Sequence, residues 1–305
     1  MGSCGCACGV AAGNDGSFLV DQSGAGAPAV VGSVGGMMEA HVSHRARLWL
    51  YILVGLVLFF LIVPTLVVIP VSFSSTTSLV FPPAGWSTRW YASFFGQEKW
   101  ISSLWVSLRV AFGTMIVATV TGVAASYALN QGRIAVQGLL KTVLVAPLAV
   151  PSILIAVGIF FVYAKIGMLL NTIWGMILGH SVVAMPFVIL TMLAGFSSYD
   201  SSQEMVARSL GANRLKAFLT VTLPQLKLSV ATSMLLSFLI SFDELIISLM
   251  VASGPMSTLP RVTFSTLRDD LDPTLAAVST LMLIVTSVPP LLLHIYSQRA
   301  AKNGG

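Results

Sequence analysis

Glu204-Met205-Val206-Ala207-Arg208-Ser209-Leu210-Gly211-Ala212-Asn213-Arg214-Leu215-Lys216-Ala217-Phe218-Leu219-Thr220-Val221-Thr222-Leu223-Pro224 is a polar, basic stretch between two long apolar runs. Gly211 is followed ten positions later by Val221, and Leu223-Pro224 closes the stretch. A helix, a glycine turn and a second short helix ending at Leu-Pro would make a compact knob on a membrane surface. Glycine allows the tight turn or close approach, and proline breaks an ordinary helix interior. Such a knob has the shape needed to pass force between a membrane domain and a soluble partner. A plain amphipathic surface helix would explain the basic residues, but not Gly, Val, Leu and Pro at these separations.

The flanking runs belong to a chain that is 56% hydrophobic and 9% charged. Soluble domains carry about 25% charged residues. Apolar runs of roughly 20 residues or more recur along the sequence, long enough to cross a bilayer. They are continuous rather than alternating, unlike the strands of a membrane barrel. The chain therefore reads as an all-α polytopic membrane protein with six transmembrane helices, over 48–71, 103–129, 139–163, 173–196, 226–251 and 274–296. The knob falls between helices 4 and 5. Residues 1–47 read as a flexible N-terminal tail and 299–305 as a C-terminal tail. The first apolar run begins too far in for an ordinary signal peptide and reads as an uncleaved helix.

The net charge of +5 speaks to orientation, not to nucleic acid. With the N-terminus inside, the cytoplasmic segments hold ten basic residues: Arg45, Arg47, Arg133, Lys141, Arg208, Arg214, Lys216, Lys227, Arg299 and Lys302. The outer segments hold five: Arg89, Lys99, Lys165, Arg261 and Arg268. This bias puts both termini and the Gly211 knob in the cytoplasm. Arg109 is left inside helix 2.

Cys4, Cys6 and Cys8 lie in a Gly/Ala/Ser-rich tail with no further ligand nearby, so no metal site is expected. His41 and His44 read as solvated flanks of helix 1. After helix 1, Phe81-Pro82-Pro83-Ala84-Gly85-Trp86, Trp90-Tyr91 and Phe94-Phe95 suit an interfacial segment resting on membrane lipid at the outer face. Pro147 and Pro151 in helix 3, Pro186 in helix 4 and Pro289-Pro290 in helix 6 imply bent helices, which either line a path or serve packing. Gly113, Ala118 and Gly122 would let helix 2 approach a neighbour closely.

The knob resembles the hallmark of inner-membrane permease subunits of ATP-binding-cassette importers: Glu-Ala-Ala, three residues, Gly, nine residues, Ile-x-Leu-Pro. Gly211 takes the glycine, Val221 the isoleucine and Leu223-Pro224 the end. Leu210, Ala212 and Phe218 add to the likeness. Met205 stands where the motif has Glu, followed by Val206 and Ala207. Glu204 lies one position earlier, about 100° round a helix. The resemblance spans about 48–298 and implies a type I importer permease fold with a cytoplasmic coupling helix. It further implies that Glu204, Met205, Ala207, Arg208, Gly211, Ala212, Arg214, Phe218, Leu223 and Pro224 dock on an ATP-binding subunit. Two such subunits, a second, non-identical permease and a periplasmic substrate-binding protein would complete the machine, in a bacterial inner membrane. The chain has no G-x-x-x-x-G-K-[ST] phosphate loop; it is expected to be a transport subunit and not an enzyme, with ATP and Mg bound by the partner subunits and no cofactor of its own.

Asp243 and Glu244 sit inside helix 5. Charges at membrane depth are costly and face a cavity or a partner. Adjacent residues point about 100° apart, so one is expected on a solute pathway and the other at a helix contact. A bridge to Arg109 is the structural alternative. Ser241-Phe242-Asp243-Glu244, Ser253-Gly254-Pro255 and Thr258-Leu259-Pro260 resemble spermidine/putrescine permeases of the PotC type. That likeness implies a polyamine or related amine as solute. Asp269, Asp270 and Asp272 either draw in a polycation or form a solvated acidic loop. Three other readings remain: the same machine carrying an amino acid or derivative, a proton-driven secondary transporter, and a scaffold for a soluble partner.

Overall fold

The computed structural model describes residues 44–77, 80–131, 136–269 and 272–303. Cys4, Cys6, Cys8, His41, Arg133 and Asp270 lie outside the described residues. The chain divides into two units, Met1–Gly55 and Leu56–Gly305. The described part of the first is the start of helix α1 (His44–Ser72). In the second unit, α1 continues with Leu56, Phe59, Phe60 and Leu61 all exposed. With a mean hydropathy of 3.1 over Leu48–Ser72, this helix needs an apolar surrounding.

Three helices build the core: α3 (Glu98–Gln131), α6 (Ile173–Ser197) and α10 (Lys227–Asp243). Bilayer helices gain little from leaving lipid for one another, so close packing through small residues and interhelical hydrogen bonds holds them together. The glycines expected to allow this do so. Gly113 of α3 faces Ile177, and a Cβ on Gly122 would stand 2.6 Å from Val188 Cγ1. Ala118 and Ala184 are fully buried between the same helices. The Thr119 and Ser237 hydroxyls meet at 3.5 Å, joining α3 to α10.

Two of the six expected spans are not continuous helices. The third is α4 (Gln137–Val145), a 3-10 turn at Ala146–Ala149 and α5 (Ser152–Ile166), bent by 102°. Pro147 and Pro151 lie at the bend, where each lacks an N–H for the helical ladder. The fifth arrives from the knob through an 81° bend. It then breaks after Asp243, and α11 (Ile246–Val251) continues beyond it. Among the described residues, four helices are long and apolar enough to cross a membrane, or six counting each bent pair as one span. Pro186, Pro289 and Pro290 stay inside α6 and α13 (Thr274–Asn303).

At one end of the second unit lie α2 (Arg89–Gly96) and α12 (Leu259–Asp269), beside the starts of α3 and α13. The aromatic segment divides here. Trp90 Nε1 donates to the Ser74 carbonyl at 2.8 Å, and Phe94 is buried near Trp100. Trp86 and Phe95 remain exposed, as an interfacial segment requires. The acidic residues there are partly occupied: Asp269 pairs with Arg268, and Asp272 accepts from the Thr274 N–H and pairs with Lys99 at 3.7 Å.

Candidate functional site

The knob lies at the opposite end, beside the last turns of α3 and α6. Helix α7 (Ser202–Ser209) stops at Leu210, and Gly211 reverses the chain with φ +93°. That left-handed geometry suits glycine because it has no Cβ. Nothing lies within 4 Å of a Cβ built on Gly211, so the turn, not crowding within the chain, calls for glycine. Asn213 caps α8 (Arg214–Ala217) by accepting from the Lys216 N–H at 2.7 Å. The chain does not stop at Leu-Pro. A π-helical turn at Phe218–Thr222 leads into α9 (Leu223–Gln225), which runs into α10. Pro224 directly follows the π-helical turn, inside the helical run Arg214–Gln225, where it contributes no N–H to the ladder.

Glu204 occupies a different position from the rest of the expected docking set. Only 1% of it is exposed. Its Oε1 accepts from the Tyr127 hydroxyl at 2.5 Å, and its Oε2 from Gln131 Nε2 and the Thr222 hydroxyl, both at 2.9 Å. Tyr199 in turn reaches the Thr222 hydroxyl at 3.0 Å, and Arg214 Nε donates to the Tyr127 hydroxyl at 3.4 Å. The Arg214 guanidinium also sits 5.3 Å from the Tyr127 ring. Phe218 packs on that ring, centroid to centroid 4.4 Å. Glu204, Phe218 and Arg214 thus tie the knob to α3. The one-position offset from the motif carboxylate is the physical reason: it turns Glu204 inward and leaves Met205 outward. Met205, Val206, Arg208, Leu210, Gly211, Leu215, Lys216 and Pro224 are exposed, with Ala207, Ala212 and Leu223 half-buried.

The two acids of the fifth span differ in their partners. Asp243 is exposed and lines two neighbouring cavities with Thr286 of α13: one of about 500 Å³, also lined by Thr65, Val68, Ser279 and Met282, and one of about 400 Å³, which Glu244 borders as well. Half-buried Glu244 has backbone partners. Its Oε1 accepts from the Ile246 and Ile247 N–H groups at 2.9 and 3.1 Å. A carboxylate there offsets the positive end of α11. Neither acid pairs with Arg109 among the described residues; the ion pairs there are Lys99–Asp272 and Arg268–Asp269.

Several residues of this site carry no motif. Tyr127 and Gln131 lie four apart at the end of α3, a helical spacing whose partner lies 73 residues or more away. Arg261 of α12 donates Nη1 to the Ser248, Leu249 and Ala252 carbonyls, closing the end of α11. Burial pushes its pKa below the usual arginine value. His180, alone among ionisable groups on α6, is buried against the break. A lone histidine in an apolar run was the one visible signal among these.

The profile of the "Binding-protein-dependent transport system inner membrane component" family matches residues 118–302. The chain belongs to that family. It is a multi-pass inner-membrane subunit of a transport system that works with a substrate-binding protein, and not an enzyme. The putrescine permease PotI of Escherichia coli (strain K12) is 29% identical over 265 residues, covering 83% of this chain and 92% of that one. The spermidine/putrescine permease PotC of Haemophilus influenzae is 28% identical over 206 residues, covering 66% and 78%. A bacterial alginate ABC transporter, solved with its alginate pentasaccharide-bound periplasmic protein, has a chain of the same fold. Its TM-score is 0.65 at 14% identity, covering 85% of this permease and 96% of that chain.

Proposed function

We propose that this permease is one of two membrane subunits of an ATP-driven importer for putrescine, spermidine or a related amine. Its termini and its α7–α9 knob would lie in the cytoplasm. The knob supports this reading best: a glycine-turned pair of short helices, apolar at Met205, Val206, Leu210 and Leu215, basic at Arg208 and Lys216, anchored through Glu204 to α3. That surface fits a cleft with an apolar floor and an acidic rim on an ATP-binding subunit. Closure of two such subunits would move the knob, and through α3 and α10 the membrane helices, between two states. Asp243, facing a cavity, is the group in the span that suits an ammonium. Glu244 borders only the smaller of the two cavities and is engaged at the start of α11.

The names PotI and PotC favour polyamines as solute. The test is uptake of labelled putrescine and spermidine by cells carrying the complete system, with and without this subunit. Uptake that requires both the chain and ATP is the expected result. A complex that assembles and hydrolyses ATP but imports neither amine would redirect the solute to amino acids or their derivatives.

A further inference from the structure

The His180 ring reaches both sides of the break between α10 and α11. Nδ1 lies 2.9 Å from Ser241 Oγ and 3.2 Å from the Ser241 carbonyl. Nε2 lies 3.2 Å from Ser248 Oγ. The Ser248 hydroxyl also reaches the Glu244 carbonyl at 3.2 Å. A ring with a single N–H donates on one side of the break and accepts on the other. One neutral ring so satisfies polar groups on both helices, where an interrupted span would otherwise leave them bare.

The two sides of the break are held by different contacts. Helix α11 is fixed along its whole length. Ile247 is fully buried against α6, where a Cβ on Gly179 would stand 3.0 Å from Ile247 Cγ2. Glu244 holds its start, while Arg261 and the Asn171 N–H, 2.8 Å from the Val251 carbonyl, hold its end. In the last turn of α10, Phe242 is buried in one cluster with Phe94, Trp100 and Leu259, while Asp243 on another face borders the cavities. The turn's ties to the α11 side are Ser241, through His180, and a long 3.4 Å bond from the Glu244 N–H to the Ser241 carbonyl. Asp243 follows two residues later, and its carboxylate has no hydrogen-bond or ion-pair partner among the described residues. Its direction is set by the backbone that carries it.

We propose that His180 is a positioning residue of the solute pathway: by pinning Ser241 to the fixed α11 it holds the Asp243 carboxylate toward the cavity beside Thr286. This rests on the reading of Asp243 as the pathway carboxylate. The probe is the charge felt in that cavity, read without any solute. In the assembled complex, with the three tail cysteines replaced by serine, Thr286→Cys is labelled by cationic and by anionic methanethiosulfonates of similar size. The cation-to-anion rate ratio reports the carboxylate, because a negative group in a low-dielectric cleft raises the local concentration of cations. Asp243→Asn is expected to lower the ratio by about fivefold or more. His180→Ala should lower it comparably, and His180→Gln, whose amide both donates and accepts, should restore most of it. The same His180→Ala complex should show half-saturation for putrescine raised about tenfold with maximal uptake nearly kept, a split that general misfolding does not produce. A ratio that falls in Asp243→Asn but not in His180→Ala overturns the role of His180 and leaves the pathway reading standing. A ratio unmoved by either change overturns both.

Discussion

The Glu204 carboxyl accepts three hydrogen bonds, two from α3 and one from the π-helical turn that follows the knob. A buried group left unpaired costs about 1–3 kcal/mol, and Glu204→Ala would strand several at once. Glu204→Ala is expected to lower the stability of the purified complex by about 3 kcal/mol, read as a fall in Tm. It should also loosen the knob from α3, so that ATP hydrolysis continues with less solute moved per ATP. Unchanged Tm and unchanged coupling would remove Glu204 from this role. The sequence places Glu204 in the right segment but not on the right face. Its offset from the motif glycine is legible as a 100° rotation; that the rotation leads to Tyr127, Gln131 and Thr222 is not, because those partners come from 18 to 77 residues away.

At the scale of elements, apolar length marks the spans but not their continuity. The bend at Pro147 and Pro151 is announced by residues that cannot join the ladder. The break after Asp243 has no proline or glycine. It stands because Glu244, His180 and Arg261 satisfy the groups that the interruption frees. Arg261 serves one end of α11 as Glu244 serves the other: a cation at the C-terminal carbonyls, an anion at the first N–H groups. Arg261→Ala would leave the Ser248, Leu249 and Ala252 carbonyls without this donor. It is expected to destabilise the protein by about 2 kcal/mol and to raise hydrogen exchange at Ile246–Val251 more than in α3. Equal protection of α11 in both forms would show that the end is held by other means.

For the whole molecule, the separation of Asp243 from Glu244 makes a prediction that neither residue makes alone. Asp243→Asn is expected to raise half-saturation for putrescine about tenfold or more, with Tm near that of the parent. Glu244→Gln is expected to lower Tm by a few degrees through the weakened start of α11, with half-saturation little changed. Uptake kinetics and thermal unfolding of the two variants would decide; the reverse pattern would exchange their roles. The sequence by itself determined the class of this protein: the apolar runs, the basic bias and the Gly211, Val221, Leu223-Pro224 spacing are local or periodic signals, and a chain that must satisfy its backbone inside lipid has few ways to fold. It also determined that α3 would pack closely at Gly113 and Gly122. Only the tertiary structure decided which acid is engaged by backbone N–H groups, where the fifth span breaks and what Glu204 holds. Those outcomes depend on His180, Arg261, Tyr127 and Gln131 arriving from distant segments, and hydrogen bonds of that reach leave no period or spacing in the chain.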